Sequence, residues 1–71
     1  MKHNFENGTV EYVHSPKEKL WRIYPKDVRY YDDNKELIKE IFAELKRMGL
    51  EYGPLLQTQK PPYIIAWEAK A

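Results

Sequence analysis

The sequence predicts an α+β fold, in which a small, mostly antiparallel sheet of three to five strands packs on one helix. The first observation is a stretch of apolar residues at helical spacing: Leu37, Ile38, Ile41, Phe42, Leu45 and Met48. The second is that β-branched and aromatic residues concentrate before and after this stretch, between Gly- and Pro-containing turns. The predicted element order is (β)ββα(β)β, within a single domain spanning residues 1–71.

The Asn7-Gly8 pair predicts the first β-hairpin, since Asn-Gly suits the positive-φ positions of a type I′ turn. The segment after it, residues 9–14, is rich in β-branched and aromatic residues, as strands are. The segment before it, residues 2–6, has a weaker pattern. We leave open whether it pairs as a strand or is a frayed terminus.

A second turn is predicted at residues 15–18, where proline in the second position supplies the fixed φ that turns favour. Residues 19–24 follow as the partner strand. Pro25 is expected to end its pairing, because proline has no N–H to donate. Residues 26–32 are predicted to be a connector with a helical turn around residues 28–31.

Residues 33–49 carry the signals of a capped amphipathic helix. Asp33 is predicted to cap its N-terminus, with Glu36 three residues later completing a variant of the capping box. Gly49 suits the left-handed position after a helix, and Leu50 follows as the hydrophobic contact of a Schellman motif. The sequence therefore predicts both ends of this helix.

The chain after the helix predicts two short extended segments and a final strand. Residues 50–52 and 55–58 are separated by Gly53-Pro54, and a turn or polyproline kink is expected at residues 59–62. Residues 63–68 are strongly strand-like, and a hairpin joining them to residues 55–58 is expected.

Alternation along the strands predicts which side chains face the helix. Val10 and Tyr12 are assigned to the core in one strand, and Trp21 and Ile23 in the next. In the last strand the bulkier alternate set is assigned to the helix side: Tyr63, Ile65 and Trp67. Ile64 is thereby expected on the outer face, together with Val13, Leu20 and Tyr24 and with the charged residues Glu11 and Arg22.

The last strand is apolar on both sides, and one helix cannot cover both faces of a sheet. Two interpretations of the outer face remain open. The face is either an exposed interaction surface, used for self-association or by another protein, or it is covered by the connector at residues 26–32, with Tyr30 and Tyr31.

Composition limits the functional classes. Twelve basic and eleven acidic side chains give a net charge of +1, too balanced to indicate a nucleic-acid or membrane-surface protein by charge alone. There is no cysteine, so neither a disulfide nor a Cys/His zinc site is expected. Residues 1–5 lack the apolar run of a signal peptide, and residues 61–67 are too few to span a bilayer. We expect a cytoplasmic protein.

No motif predicts catalysis, a metal or a cofactor. His3 and His14 have no nucleophile or orienting carboxylate at a meaningful spacing, so both are interpreted as surface residues. The acidic residues around Asp32 and Asp33 lead directly into the helix, without the glycine of a calcium loop, so helix capping explains them better. We therefore expect a protein that is not an enzyme.

The leading hypothesis is a small non-enzymatic binding module or regulatory accessory protein that associates with a protein partner or with itself, through its sheet face or edge. The alternative is a single-stranded nucleic-acid-binding protein that uses the basic and aromatic residues 19–31, with cations tracking phosphates and rings stacking on bases. The candidate binding residues are Leu20, Arg22, Tyr24, Lys26, Arg29 and Ile64.

Overall fold

The computed structural model describes residues 2–68. Their elements, in chain order, are β1 (Lys2–Phe5), β2 (Gly8–Ser15), β3 (Leu20–Pro25), a 3₁₀ turn (Tyr31–Asp33), α1 (Lys35–Arg47), β4 (Leu50–Leu56) and β5 (Tyr63–Glu68). All neighbouring strands pair antiparallel, in the order β1-β2-β3-β5-β4. The predicted α+β class and element order are confirmed, and the sheet of the described residues has five strands.

The first hairpin is present, but its turn differs from the prediction. Phe5 pairs with Gly8, so the turn consists of Glu6 and Asn7. Neither Asn7 nor Gly8 has the positive φ that a type I′ turn centred on them requires. The turn is held from the helix instead, because the Glu40 carboxylate accepts the Glu6 N–H at 3.1 Å and the side-chain amide of Asn7.

Strand β3 ends one residue later than predicted. A four-residue turn at residues 16–19 joins β2 to β3. At the far end of β3, Pro25 is buried and pairs with Val10 of β2. The missing N–H of the proline does not end the hairpin, because the N–H of Lys26 donates to the carbonyl of Thr9 at 3.1 Å. The connector therefore leaves the sheet from a fixed point.

The N-terminus of α1 is capped by Asn34, so the predicted capping box headed by Asp33 is wrong. The Asn34 side chain accepts the N–H of Leu37 at 3.2 Å. Asp33 lies in the preceding 3₁₀ turn, where its carboxylate accepts the N–H groups of Arg29 at 2.9 Å and Tyr30 at 3.0 Å. Asp33 thus accepts hydrogen bonds from the connector, and the next residue, Asn34, accepts the hydrogen bond that caps the helix.

The C-terminus of α1 follows the prediction. Gly49 has a φ of 78°, in the left-handed region that favours glycine. Its N–H donates to the carbonyl of Lys46 at 3.0 Å, one of the two hydrogen bonds of a Schellman motif. Leu50 then lies in the core, with 9% of its surface exposed.

The two extended segments predicted after the helix form one strand, β4. The pairing of β4 with β5 shifts register between Tyr52 and Leu55, which marks a bulge at Gly53-Pro54. The predicted hairpin is confirmed, because Leu56 pairs with Tyr63 across the turn.

The core lies between α1 and one face of the sheet. Its buried apolar residues are Val10, Tyr12, Ile23, Val28, Leu37, Ile38, Ile41, Leu45, Leu50, Leu55, Ile64 and Ala66. Val28 comes from the connector, which therefore turns toward the helix side of the sheet on its way to α1.

Strand β5 faces the opposite way from the prediction. Ile64 and Ala66 are fully buried, and Ile64 pairs with the core residue Ile23. The alternate residues face away from the helix: Tyr63, Ile65 and Trp67. The physical reason is that a buried indole needs a hydrogen-bond acceptor, and Trp67 finds one outside the core, where its Nε1 donates to Glu51 at 2.8 Å.

Candidate functional site

The candidate site is the outer face of the sheet, opposite α1. Its central residues are Val13, Leu20, Arg22, Tyr24, Leu56, Tyr63, Ile65 and Trp67. No helix or strand of residues 2–68 lies over them, since all strands belong to one sheet and α1 packs on its other side. We take this face as the candidate site because exposed apolar surface on a small domain is typical of binding sites.

The connector does not cover the outer face. Val28 is 4% exposed and belongs to the core on the helix side, whereas Tyr30 and Tyr31 are 58% and 38% exposed. The N–H of Tyr31 donates to the Gln57 side chain at 3.0 Å, which fixes the connector at the end of β4. Of the two interpretations of the outer face, the structure supports the exposed one.

Arg22 lies at the centre of the outer face, with its charge already paired. Its guanidinium donates to the Ser15 hydroxyl at 3.0 Å and forms a 3.1 Å ion pair with Glu18. It also lies over the ring of Tyr63, at 5.9 Å from the ring centre. Hydrogen bonding to Tyr63, ahead of the contribution of Glu18, raises the pKa of Arg22 above its ordinary value. Arg22 is therefore held in one position.

Aromatic side chains flank Arg22 at both ends of the strands. Tyr24 and Tyr63 are side by side, with ring centres 5.4 Å apart. Trp67 lies beside Leu20 at the other end and is 38% exposed. Tyr, Trp and Arg are the residue types that most often carry the binding energy of protein interfaces.

The outer face carries charges of both signs. Arg22 pairs with Glu18, and Glu51 accepts the indole N–H of Trp67. Lys2 of β1 is the cross-strand neighbour of Glu11 of β2. A face with charges of both signs does not attract a polyanion strongly.

The structure brings together half of the predicted binding residues. Leu20, Arg22 and Tyr24 share the outer face, as predicted. The assignment of Ile64 to this face is wrong, because Ile64 is fully buried in the core. Lys26 and Arg29 are exposed but lie in the connector, beyond the end of β3.

Sequence reasoning missed four residues of the outer face: Leu56, Tyr63, Ile65 and Trp67. For β5, side-chain polarity could have identified the outer residues, since two of the three carry a polar atom that favours contact with water. For Leu56 it was the bulge at Gly53-Pro54, which sets the facing of the residues that follow it.

A groove of about 680 Å³ lies between the connector and the β4–β5 turn. Arg29, Tyr30, Gln57 and Lys60 line it, together with Asp33. The backbone N–H groups of Tyr30 and then Arg29 lower the pKa of Asp33, so this carboxylate is committed to holding the connector. No nucleophile with a neighbouring base stands out among the groove's lining residues.

The exposed edges of the sheet are poorly suited to adding a partner strand. The edge strand β1 has only four residues, and the other edge, β4, is interrupted by a bulge containing Pro54, which has no N–H. Short edges, bulges and proline are the usual means of blocking edge pairing. The outer face is thus better suited to binding than either edge.

Comparison with known proteins gives no match: no protein-family model, no curated protein and no solved structure matches the chain. Within residues 2–68, no group of three or more His, Asp or Glu side chains is placed to hold a metal ion. In the same part of the chain, no helix has the length and apolarity needed to cross a membrane. The function must be inferred from the residues of the outer face themselves.

Proposed function

We propose that the protein is a non-enzymatic binding module, a small regulatory or accessory protein, that associates with protein through the outer face of its sheet. The observation that carries the proposal is the position of Arg22, Tyr24, Tyr63 and Trp67 together on a face that no other element of residues 2–68 covers. Tyr, Trp and Arg are the residue types enriched at the energetic centre of protein interfaces, and Tyr and Trp bury large areas at low entropic cost.

Protein fits this face better than a small molecule does. Its residues lie on an extended sheet, whereas the grooves at the connector and beside the helix are lined by other residues. Small ligands need a concave pocket that surrounds most of their surface. A protein partner needs only a complementary surface with a desolvated centre.

Site-specific photo-crosslinking in the protein's own cell extract tests the proposal. A photoreactive residue replaces Val13 on the outer face, and a second variant carries it at Met48 beside the helix; the two positions are matched in exposure, at 38% and 40%. We expect protein adducts from residue 13 that disappear when Ile65→Glu is added, and few from residue 48. Equal adducts from both positions, or none from residue 13, contradict the proposal.

Single-stranded nucleic-acid binding through Arg22, Tyr24, Lys26 and Arg29 is the second candidate. The adjacent Tyr24 and Tyr63 rings favour it, since paired rings on a sheet provide a stacking surface for bases. The carboxylates of Glu18 and Glu51 weigh against it, because they oppose the approach of phosphates.

Fluorescence titration with a single-stranded oligonucleotide at low and high salt distinguishes the two candidates. The protein-binding proposal expects no binding at low salt. Tight binding that weakens steeply with salt supports the second candidate, because counterion release dominates such affinities.

A further inference from the structure

We infer that the partner of the outer face is a second copy of this chain, so that two sheets pack face to face with the helices outside. This inference rests on the proposed function and names its partner. The same surface patch then meets itself across a two-fold axis, the commonest arrangement of protein dimers. The contact is sheet against sheet, a standard way for apolar sheet faces to be buried.

Charge is the first argument for a second copy. A face with an excess of one sign repels a copy of itself, whereas the outer face carries Arg22 paired with Glu18, and Lys2 next to Glu11. Glu51 is hydrogen-bonded to the indole of Trp67. Two such faces therefore meet without a large electrostatic cost, and a strongly charged partner gains little from them.

Shape is the second argument. The outer face is built from neighbouring strands of one sheet, with Arg22 and Ile65 as cross-strand partners at its centre. A helix or an extended peptide binds in a groove or along a free edge. The grooves at the connector and beside α1 are lined by other residues, and an apolar sheet face such as this one is well matched by another sheet.

The size of the face sets the strength of the association. Four strands about 4.8 Å apart, with three outward positions spaced about 6.7 Å along each, cover roughly 400 Å² of plane. Two such faces bury about 800 to 1,000 Å² in total, which is less than the roughly 1,200 Å² of the smallest stable interfaces and typical of weak, transient associations. We therefore expect a transient dimer, with a dissociation constant in the micromolar range or above.

Sedimentation velocity of the purified full chain tests the inference, at protein concentrations from about 10 µM to about 1 mM. We expect the weight-average mass to rise with concentration from the monomer value of 8.6 kDa toward twice that value. Ile65→Glu places a carboxylate at the centre of the interface, and Arg22 is its cross-strand neighbour within the monomer. We expect this variant to dimerise at least tenfold more weakly.

Met48→Lys is the matched control, because Met48 is an exposed apolar residue remote from the outer face. We expect it to dimerise like the wild-type chain. If Ile65→Glu fails to fold, Val13→Glu provides the same test at a site that is 38% exposed. A wild-type chain that stays monomeric at the highest concentration overturns the inference, and so does dimerisation that survives a folded outer-face variant.

The crosslinking experiment shows whether a failure of the dimer is also a failure of the proposed protein-binding function. A monomeric chain that still gives adducts to other proteins from residue 13 retains a binding face but has a different partner. A monomeric chain without such adducts refutes both proposals.

Discussion

Leu37 of the helix packs directly on the backbone of Gly8 at the start of β2. A Cβ atom at residue 8 would lie 2.9 Å from Cδ2 of Leu37, closer than the optimal separation of two carbon atoms. Leu37 is fully buried, so its side chain has little room to move away. The absence of a side chain at residue 8 therefore serves the close packing of the hairpin on the helix. It does not serve a positive φ in the turn.

We predict that Gly8→Ala lowers the free energy of unfolding by about 1 to 3 kcal/mol, because the added methyl group overpacks a full core. Gly53→Ala is the control, since a Cβ at residue 53 meets no atom within 4 Å. Urea denaturation of both variants provides the measurement. Equal stabilities for the two variants would show that Leu37 yields without cost.

The first hairpin illustrates what the sequence could predict. The Asn7-Gly8 pair correctly placed a hairpin between residues 2–5 and 8–15. Its conformation depends on Glu40, which lies 33 residues further along the chain and binds the turn from the helix. A local pattern contains no information about such a distant contact, so the turn type was predicted wrongly.

The orientation of β5 shows the same limit at the candidate site. Both alternate sets of this strand are apolar, so the hydrophobic pattern does not determine which set faces the helix. Side-chain polarity determines it: Tyr63 and Trp67 carry polar atoms and face outward, whereas Ile64 pairs with the core residue Ile23. In β3, by contrast, Arg22 marks the outer set, and the prediction there was right.

Truncation of neighbouring β5 residues tests this orientation. Ile64→Ala is expected to lower the free energy of unfolding by about 2 to 5 kcal/mol, because it leaves a cavity in the core. Ile65→Ala is expected to cost less than about 1 kcal/mol in the monomer, since the side chain removed is only partly buried. Urea denaturation at low protein concentration compares them, and the reverse order of stabilities would invalidate the outer face as defined.

The cap of α1 gives a further prediction. Asn34 accepts the N–H of Leu37 and donates to the carbonyl of Asn7 at 3.0 Å, so it links the helix to the first hairpin. We expect Asn34→Ala to lower the free energy of unfolding by about 1 to 2 kcal/mol. Asn34→Asp retains the acceptor and loses only the donor, so its stability should lie between those of Asn34→Ala and the wild-type chain. An Asn34→Ala variant as stable as wild type would contradict the cap.

Asp33 predicts a dependence of stability on acid. The N–H groups of Tyr30 and Arg29 lower its pKa in the folded state, so between the folded and the unfolded pKa the unfolded chain binds more protons. Its stabilising contribution is present above the ordinary aspartate pKa and is lost as pH falls through the folded value.

The stability difference between the wild-type chain and Asp33→Asn should therefore be larger at about pH 6 than at about pH 2.5. Urea denaturation at the two pH values measures this difference. A difference independent of pH would mean that the carboxylate charge plays no part in holding the connector.

Tyr12 predicts the opposite dependence in alkali. Burial, with a smaller contribution from the charge of Glu44, raises the pKa of Tyr12 to about 12. An unfolded tyrosine ionises near pH 10, so between about pH 10 and 12 the folded state retains a proton that the unfolded state loses. The contribution of Tyr12 to stability is thus complete below pH 10 and lost as pH rises through the folded pKa.

Tyr12→Phe should lose less stability than the wild-type chain between about pH 9 and pH 11, as urea denaturation would show. If the free energy of unfolding fell equally with pH in both chains, the prediction would be contradicted. A Tyr12 phenolate that forms near pH 10 in the folded protein would likewise show that this hydroxyl is in contact with water.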